Sequence, residues 1–549
     1  MSKHNEPIDP PAQPELSPGL RRYLYGTAAV TGAAILIVEI LGAKMLSPYF
    51  GTSHFVWTAQ IAVTLLALSA GYLLGGRWVD RSPRLGNLYL AILGAAVYLA
   101  ATVPLVRGVS FVCLRLDLAL GSLLASLFLF LVPLALLAIT GPFLVRILTD
   151  SVKQVGGNVG RLTSISTLGS VAGTVLIGYV LIPRLPNSVT MIITAGVLVL
   201  LPIIYFVIWG RAKRPSTAIT AALLLIASLA WGGLRPEWRP TMRYSGGEWT
   251  VRARSNSNFG GMVVIDHVEG SWAERWYLND NLVQNTYDPY TGKSLSLFTE
   301  LLHGLPGAYT TKLETALCIG MGTGIVPMML ASDGVAVDVV EINPGVVPLA
   351  EAWFGFERKK MRRLVVGDGR YFLNRSREQY DAIVMDAFLG DSSPAHLMTV
   401  EAFESMRHRL RQDGVLVMNT FGRGLETPGE VEPTALVFDR PDDFYTGSLH
   451  ATLKVVFPHV RVHGSGNGNV FFVASMEPLT IHQIPTFERS HRSLRESPDL
   501  TRQPLIAWKR NWRVAAGLGM LMTDDFNPIE YHDATHREST RKGLVSGLR

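Results

Sequence analysis

The run from Leu118 to Val145 contains no charged residue, and a water-soluble fold would have to bury a helix of improbable length to hide it. A membrane is the simpler solution, since about 20 apolar residues rising about 1.5 Å each cross roughly 30 Å of hydrocarbon. Comparable runs surround it: Tyr23–Met45, Phe55–Gly76, Leu85–Val106, Leu162–Pro183, Ser188–Gly210 and a shorter Ser216–Gly232. Residues 23–233 are therefore expected to form a transmembrane helical domain of about seven helices, with the lipid bilayer as partner, behind a polar tail at 1–22. No small-residue cleavage site precedes a soluble domain, so the chain is expected to stay anchored. Composition agrees: 48% hydrophobic against 17% charged residues leaves too much apolar surface for water alone. Two cysteines, Cys113 and Cys318, exclude a disulfide scaffold and a structural zinc site.

Orientation follows from the short loops. Arg21, Arg22, Arg77, Arg81, Arg84, Arg146, Lys153, Arg161, Arg211, Lys213 and Arg214 fall on one side, against Lys44, Arg107, Arg115 and Arg184 on the other. The amino terminus is thus expected to be cytoplasmic. Seven crossings then leave the second half outside the cytoplasm, where nucleoside cofactors are not supplied. Either Ser216–Gly232 is re-entrant or interfacial, or the long fourth run holds two passages. Glu39 is read as an interfacial ion pair with Lys44, and Gly169, Ala172, Gly173 and Gly178 as a small face for close helix packing. The string from Gly75 to Arg81 resembles a loop of major-facilitator transporters, but seven spans are too few for that class. The net charge of +6 is largely juxtamembrane and lacks the aromatic interleaving of a nucleic-acid groove, so no nucleic acid is expected as a partner.

Charge returns from Leu234 onward. Alternating runs at Trp249–Arg254, Gly261–Asp266 and Arg275–Leu278, bounded by Asn and Gly turns, read as a small antiparallel β domain at 245–290. A helix is expected around Lys293–Leu305. Then comes an apolar strand running into Gly320-Met321-Gly322-Thr323-Gly324, where missing side chains let backbone approach a nucleotide-like ligand. A second strand ends in Glu341, whose carboxylate is suited to ribose hydroxyls. A third ends in Gly367-Asp368-Gly369, and a fourth, Tyr380–Met385, in Asp386. Such strands, separated by helical stretches, describe a doubly wound parallel sheet at 291–480 with its site at the carboxyl edge. Residues 481–549 remain as a C-terminal extension.

The order of Gln284, the glycine loop, Glu341, Gly367-Asp368-Gly369 and Asp386 closely resembles the spermidine synthases, aminopropyltransferases built on the AdoMet-methyltransferase (Rossmann-like) sheet. With its apolar first half, the chain resembles the fused, membrane-anchored members found in bacteria, which implies a multi-pass protein of the inner membrane. The resemblance implies decarboxylated S-adenosylmethionine as co-substrate, with no permanently bound cofactor and no metal. It implies that Glu341 holds the ribose, Asp368 the adenine amino group and Gln284 the opposite flank, with Gly320, Gly322, Gly324, Gly369 and Pro394 shaping the nucleoside site. It implies Asp386 as general base, and a loop from Asp386 to Pro394 that closes over the substrates. A homodimer is suggested by analogy with soluble relatives.

The amine side departs from the family. Thr323 stands where soluble relatives carry an aspartate, Phe298-Thr299-Glu300 replaces a Tyr-His/Gln-Glu helix start, and Leu389 takes the place of a second loop acid, with Asp391 displaced. Glu300, Thr323 and Asp391 are the candidates for binding the small-molecule amine. Asp524 and Asp525, in an acidic segment at Thr523–Glu530, are expected to fold back and help. The leading expectation is transfer of an aminopropyl group to a diamine, converting putrescine to spermidine and releasing methylthioadenosine. The alternatives are an AdoMet-dependent methyltransferase and a transporter-like membrane protein with a nucleoside-sensing domain.

Overall fold

The computed structural model describes residues 16–51, 54–149, 155–210, 241–244, 247–280, 282–388, 393–422, 436–440, 443–464, 468–486 and 512–536, with isolated positions at 220, 223, 225–227 and 508. It divides into two units, Met1–Leu46 with Trp57–Trp238, and Ser47–Val56 with Arg239–Arg549.

Among the described residues the first unit is all helical. Its elements are α1 (Pro18–Phe50), α2 (His54–Arg81), α3 (Leu85–Cys113), α4 (Leu118–Ala138), α5 (Thr140–Leu148), α6 (Val155–Leu176) and α7 (Asn187–Ile208). Six segments among the described residues are long and apolar enough to cross a bilayer, with Leu118–Leu148 counted as one span. The fourth run therefore holds a single passage, jointed at Ile139. The expected seventh helix at Ser216–Gly232 lies almost wholly outside the described residues. The Gly75–Arg81 string forms the last turns of α2 rather than a loop. Small residues do allow close packing: a Cβ at Gly169 or Gly173 of α6 would strike the α1 backbone at Ala29 or Ala33, whereas Gly178 faces open space. Glu39 hydrogen-bonds Thr64 of α2, because it lies far enough inside α1 to face a neighbouring helix.

The second unit begins with a six-stranded antiparallel meander: β1 (Thr241–Tyr244), β2 (Gly247–Ser257), β3 (Gly260–Glu269), β4 (Trp272–Asn279), β5 (Leu282–Asp288) and β6 (Lys293–Ser294). Alternation dictates its faces. In β3, Met262 and Val264 are buried while Val263 and Ile265 are less so, and the buried pair joins a core with Tyr277, Tyr287 and Leu301. The expected helix at Lys293–Leu305 starts later: Lys293 pairs with Asp288 in β6, and α8 runs from Phe298 to Tyr309.

The larger sheet takes β7 (Thr315–Ile319), β8 (Ala336–Glu341), β9 (Arg363–Val366), β10 (Tyr380–Met385), β11 (Leu410–Phe421), β12 (Leu436–Phe438), β13 (His459–Gly464), β14 (Asn469–Ser475) and β15 (Trp512–Val514), in the order β12-β15-β13-β14-β11-β10-β7-β8-β9. Strands β9, β8, β7, β10 and β11 are parallel, and β14 is antiparallel to β11. Counted from β7, the seven strands from β9 to β13 run 3-2-1-4-5-7-6, a methyltransferase-like sheet. Both faces are covered, as parallel sheets require. Ala316, Cys318, Val337, Val339, Val415 and Val417 enter one core, while Leu317, Ile319, Val340, Leu416 and Met418 enter the other. Helices α9 (Ile325–Ser332), α10 (Val346–Trp353), α11 (Gly369–Arg375), α12 (Val400–Arg407), α13 (Phe444–Val456) and α14 (Ile529–His536) complete the unit. Of the described residues beyond 480, β15 is integral to the sheet, hydrogen-bonded between β12 and β13.

Candidate active site

Strand order reverses between β7 and β10, and ligands of doubly wound sheets bind in the crevice outside such a switch point. Backbone at both strand tips approaches closely there. Gly320, at φ +86°, has no room for a Cβ because the Asp386 carbonyl and Ala387 occupy the space, while the Asp386 N–H donates to the Ile319 carbonyl at 2.9 Å. Glycine is required on both counts. Gly324, at φ +81°, precedes α9 with the Phe356 ring against it.

Above these tips lies a cavity of about 1070 Å³, walled by the larger sheet on one side and the β3–β4 hairpin of the meander on the other. Gln284, Gly320, Gly322, Glu341, Asp368, Gly369, Asp386 and Pro394 all line it. Motifs spread over more than 100 residues of sequence thus converge on one volume.

Glu341 is 8% exposed. One carboxylate oxygen accepts from the Met321 N–H at 2.8 Å and the other from the Asn343 N–H at 2.7 Å. Burial pushes its carboxyl above the usual range, opposed by those backbone donors. The Ile342 N–H is a third backbone donor to it, and since a carboxylate offers about four lone-pair directions, acceptor capacity remains for a hydroxyl in the cavity. Asp368 caps α11 through the Tyr371 N–H at 2.8 Å and meets His396 Nε2 at 2.8 Å; His396 also lines the cavity.

Asp386 is a second perturbed carboxyl on the wall. Burial pushes it up to about 6, moderated by one hydrogen bond. That bond comes from Asn419 Nδ2 at 2.9 Å, and Asn419 Oδ1 in turn accepts from Asn469 Nδ2 at 3.1 Å. The chain of two amides leaves no choice of orientation: a carboxylate only accepts, so Asn419 must present its NH₂ to Asp386 and its carbonyl to Asn469.

Other expected residues lie elsewhere. In α8, Phe298 and Leu301 face the cavity one turn apart, so the helical phase turns Glu300 away from the lining. Thr323 is 2% exposed, and its hydroxyl has no hydrogen-bond partner among the described residues; left-handed glycines on either side rotate it beneath the loop. Gly324 is likewise outside the lining. Asp391 lies outside the described residues. Asp524 forms a two-pronged ion pair with Arg370, at 2.6 and 2.5 Å.

Sequence reading missed Asn419, Asn469 and His396, and also Glu269, Trp272 and Glu274 on the hairpin wall. Glu274 takes a hydrogen bond from Trp276 Nε1 at 2.8 Å, and burial raises its carboxyl. A polar Asn closing the apolar run Val415–Met418 was the available signal for the fifth strand tip.

Residues 295–427 match a family model described as the spermine/spermidine synthase domain. A polyamine aminopropyltransferase of Vibrio vulnificus is 32% identical over 193 residues, covering 32% of this chain and 62% of that protein. An N-terminal histidine N-methyltransferase of Emericella nidulans is 30% identical over 191 residues, covering 31% of this chain and 34% of that one. The chain therefore spans less than two thirds of the length of these curated relatives. A crystal structure of spermidine synthase from Thermotoga maritima aligns with a TM-score of 0.33 at 17% identity, over 43% of this chain and 80% of that one.

Proposed function

We infer from a spermine/spermidine synthase domain at 295–427, folded around a carboxylate-tipped switch point, that the protein is a membrane-anchored aminopropyltransferase. Decarboxylated S-adenosylmethionine is the donor and a diamine such as putrescine the acceptor. Glu341 accepts the two ribose hydroxyls, Asp368 and Pro394 bound the adenine, and Gln284 closes the opposite flank. The amine nitrogen attacks the aminopropyl carbon attached to sulfur. The C–S bond breaks, its electron pair neutralises the sulfonium, and methylthioadenosine leaves. Asp386 takes the proton that the attacking amine must lose. The sulfonium is already an excellent leaving group, so positioning and one base suffice.

The observation that carries this reading is the half-buried Asp386 carboxyl, pushed up to about 6 by desolvation, on the wall of the cavity that Glu341 also lines. Such a base is ionised at neutral pH yet still proton-accepting. Glu269 and Glu274 on the hairpin wall favour a dicationic acceptor over a neutral one. The methyltransferase relative supports a second reading, AdoMet-dependent methylation on the same sheet. Incubating the purified protein with AdoMet, decarboxylated AdoMet and a diamine panel separates them. Methylthioadenosine release with spermidine formation is expected; adenosylhomocysteine instead would overturn the proposal.

An even number of crossings returns a chain to the side on which it started. Among the described residues the number of segments long and apolar enough to cross is six, and with the cation-rich loops on the amino-terminal side this supports a bacterial inner-membrane protein whose amino terminus and catalytic unit are both cytoplasmic, where nucleoside substrates are made.

A further inference from the structure

The loop 394–400 lines the nucleoside side of the cavity through Pro394, His396 and Leu397, and within itself closes one turn, the Leu397 N–H donating to the Pro394 carbonyl at 2.9 Å and the Met398 N–H to the Ala395 carbonyl at 3.0 Å. Its other polar contacts come from distant segments. The Ala395 carbonyl accepts from Asn527 Nδ2 at 2.8 Å, the His396 carbonyl accepts from Arg370 Nη1 at 3.0 Å, and the Val400 N–H donates to the Met522 carbonyl at 2.9 Å. Asp524 joins these contacts together. It accepts from the Thr399 hydroxyl at 2.8 Å and grips the Arg370 fork with both oxygens, while its own N–H donates to Glu401 at 3.0 Å.

We propose that residues 522–527 form a latch that holds loop 394–400 in its nucleoside-binding position, with Asp524 a positioning residue acting through Arg370. Arg370 immediately follows Gly369, so its guanidinium has one carboxylate to choose among several. Asp368 and Glu401 are the other acids that act on it. With Asp524 in place, a bidentate charge-assisted pair fixes the fork away from the cavity. Without it, Arg370 is left to Glu401 and Asp368, the latter the acid assigned to the adenine, and its hold on the His396 carbonyl loosens. The pair is partly exposed, with side-chain accessibilities of 19% and 46%, so its contribution to stability is small and its effect is on placement.

This inference rests on the reading of loop 394–400 as nucleoside-facing, and its primary readouts need no turnover. In the full-length protein, hydrogen exchange over 394–400 and equilibrium binding of methylthioadenosine are compared between wild type, Asp524→Asn and Asp524→Glu. The latch predicts faster exchange in the loop and about tenfold weaker nucleoside binding for Asp524→Asn, an unchanged thermal midpoint, and substantial recovery in Asp524→Glu. Unchanged exchange and unchanged nucleoside affinity would overturn it. So would a selective rise in the KM for the amine, which would assign Asp524 to the acceptor. A wild-type chain that binds methylthioadenosine but never produces it would refute the transferase reading while leaving the exchange result to decide the latch.

Discussion

Asp386 sits where catalysis and stability make opposite demands on one carboxyl. Burial raises it to about 6, above the unfolded value of about 3.9. The folded state therefore prefers the protonated form, and the stability it contributes is lost as pH rises from about 4 through about 6. At about 1.4 kcal/mol per unit, Asp386→Asn should gain up to about 3 kcal/mol at pH 7 and almost nothing at pH 4, measurable by thermal unfolding across pH. The same variant should lose about 10²-fold or more in kcat while binding methylthioadenosine within a few-fold of wild type. In the wild type, kcat/KM should rise tenfold per pH unit below about 6. The Asn419 amide lowers that value, so Asn419→Leu should shift the acidic limb upward, and Asn469→Leu should do so less, by freeing the Asn419 amide to turn. Glu274→Gln should raise the KM for a diamine about tenfold with little change in kcat, since only the second ammonium is distant from the reacting carbon.

At the scale of elements, the site depends on how closely β7 and β10 end together. Gly320→Ala adds a Cβ where the Asp386 carbonyl already lies and asks alanine to adopt φ +86°. A cost of about 2–4 kcal/mol is expected, with loss of activity, read by unfolding and by methylthioadenosine release. These strands were legible in the sequence because each is a short apolar run with a glycine or an acid at its carboxyl end, and Glu341, Asp368 and Asp386 reached the same cavity from their strand tips. Glu300 did not, because a helix distributes neighbours around its axis and only the starting residue, misjudged by five positions, sets which of them faces inward. The amide pair Asn419 and Asn469 was hidden for another reason. Its members lie 50 residues apart, and only the antiparallel register of β11 with β14 brings them together. The Arg370–Asp524 pair spans 154 residues, beyond any local pattern.

The whole molecule joins two solvents in one chain. Six helical segments among the described residues are apolar and long enough to cross a bilayer, and they precede a unit with two cores of its own. Carbonate and high-salt washes should leave the protein in the membrane fraction, and only detergent should release it. A reporter fused after His536 should be active only if its activity is cytoplasmic; a periplasmic signal would overturn the proposed orientation. Synthesis also proceeds in one direction, at about 5–20 residues per second, so the apolar helices emerge ahead of the second unit. Strand β15 and the 522–527 segment emerge after the other described strands, although one of them fills the larger sheet and the other contacts the cavity-lining loop. A ribosome-bound intermediate can thus hold most of the proposed site residues while its cavity wall is still unfinished. On the proposed membrane-anchored reading, competence follows anchoring, and activity starts only where the chain has already been installed.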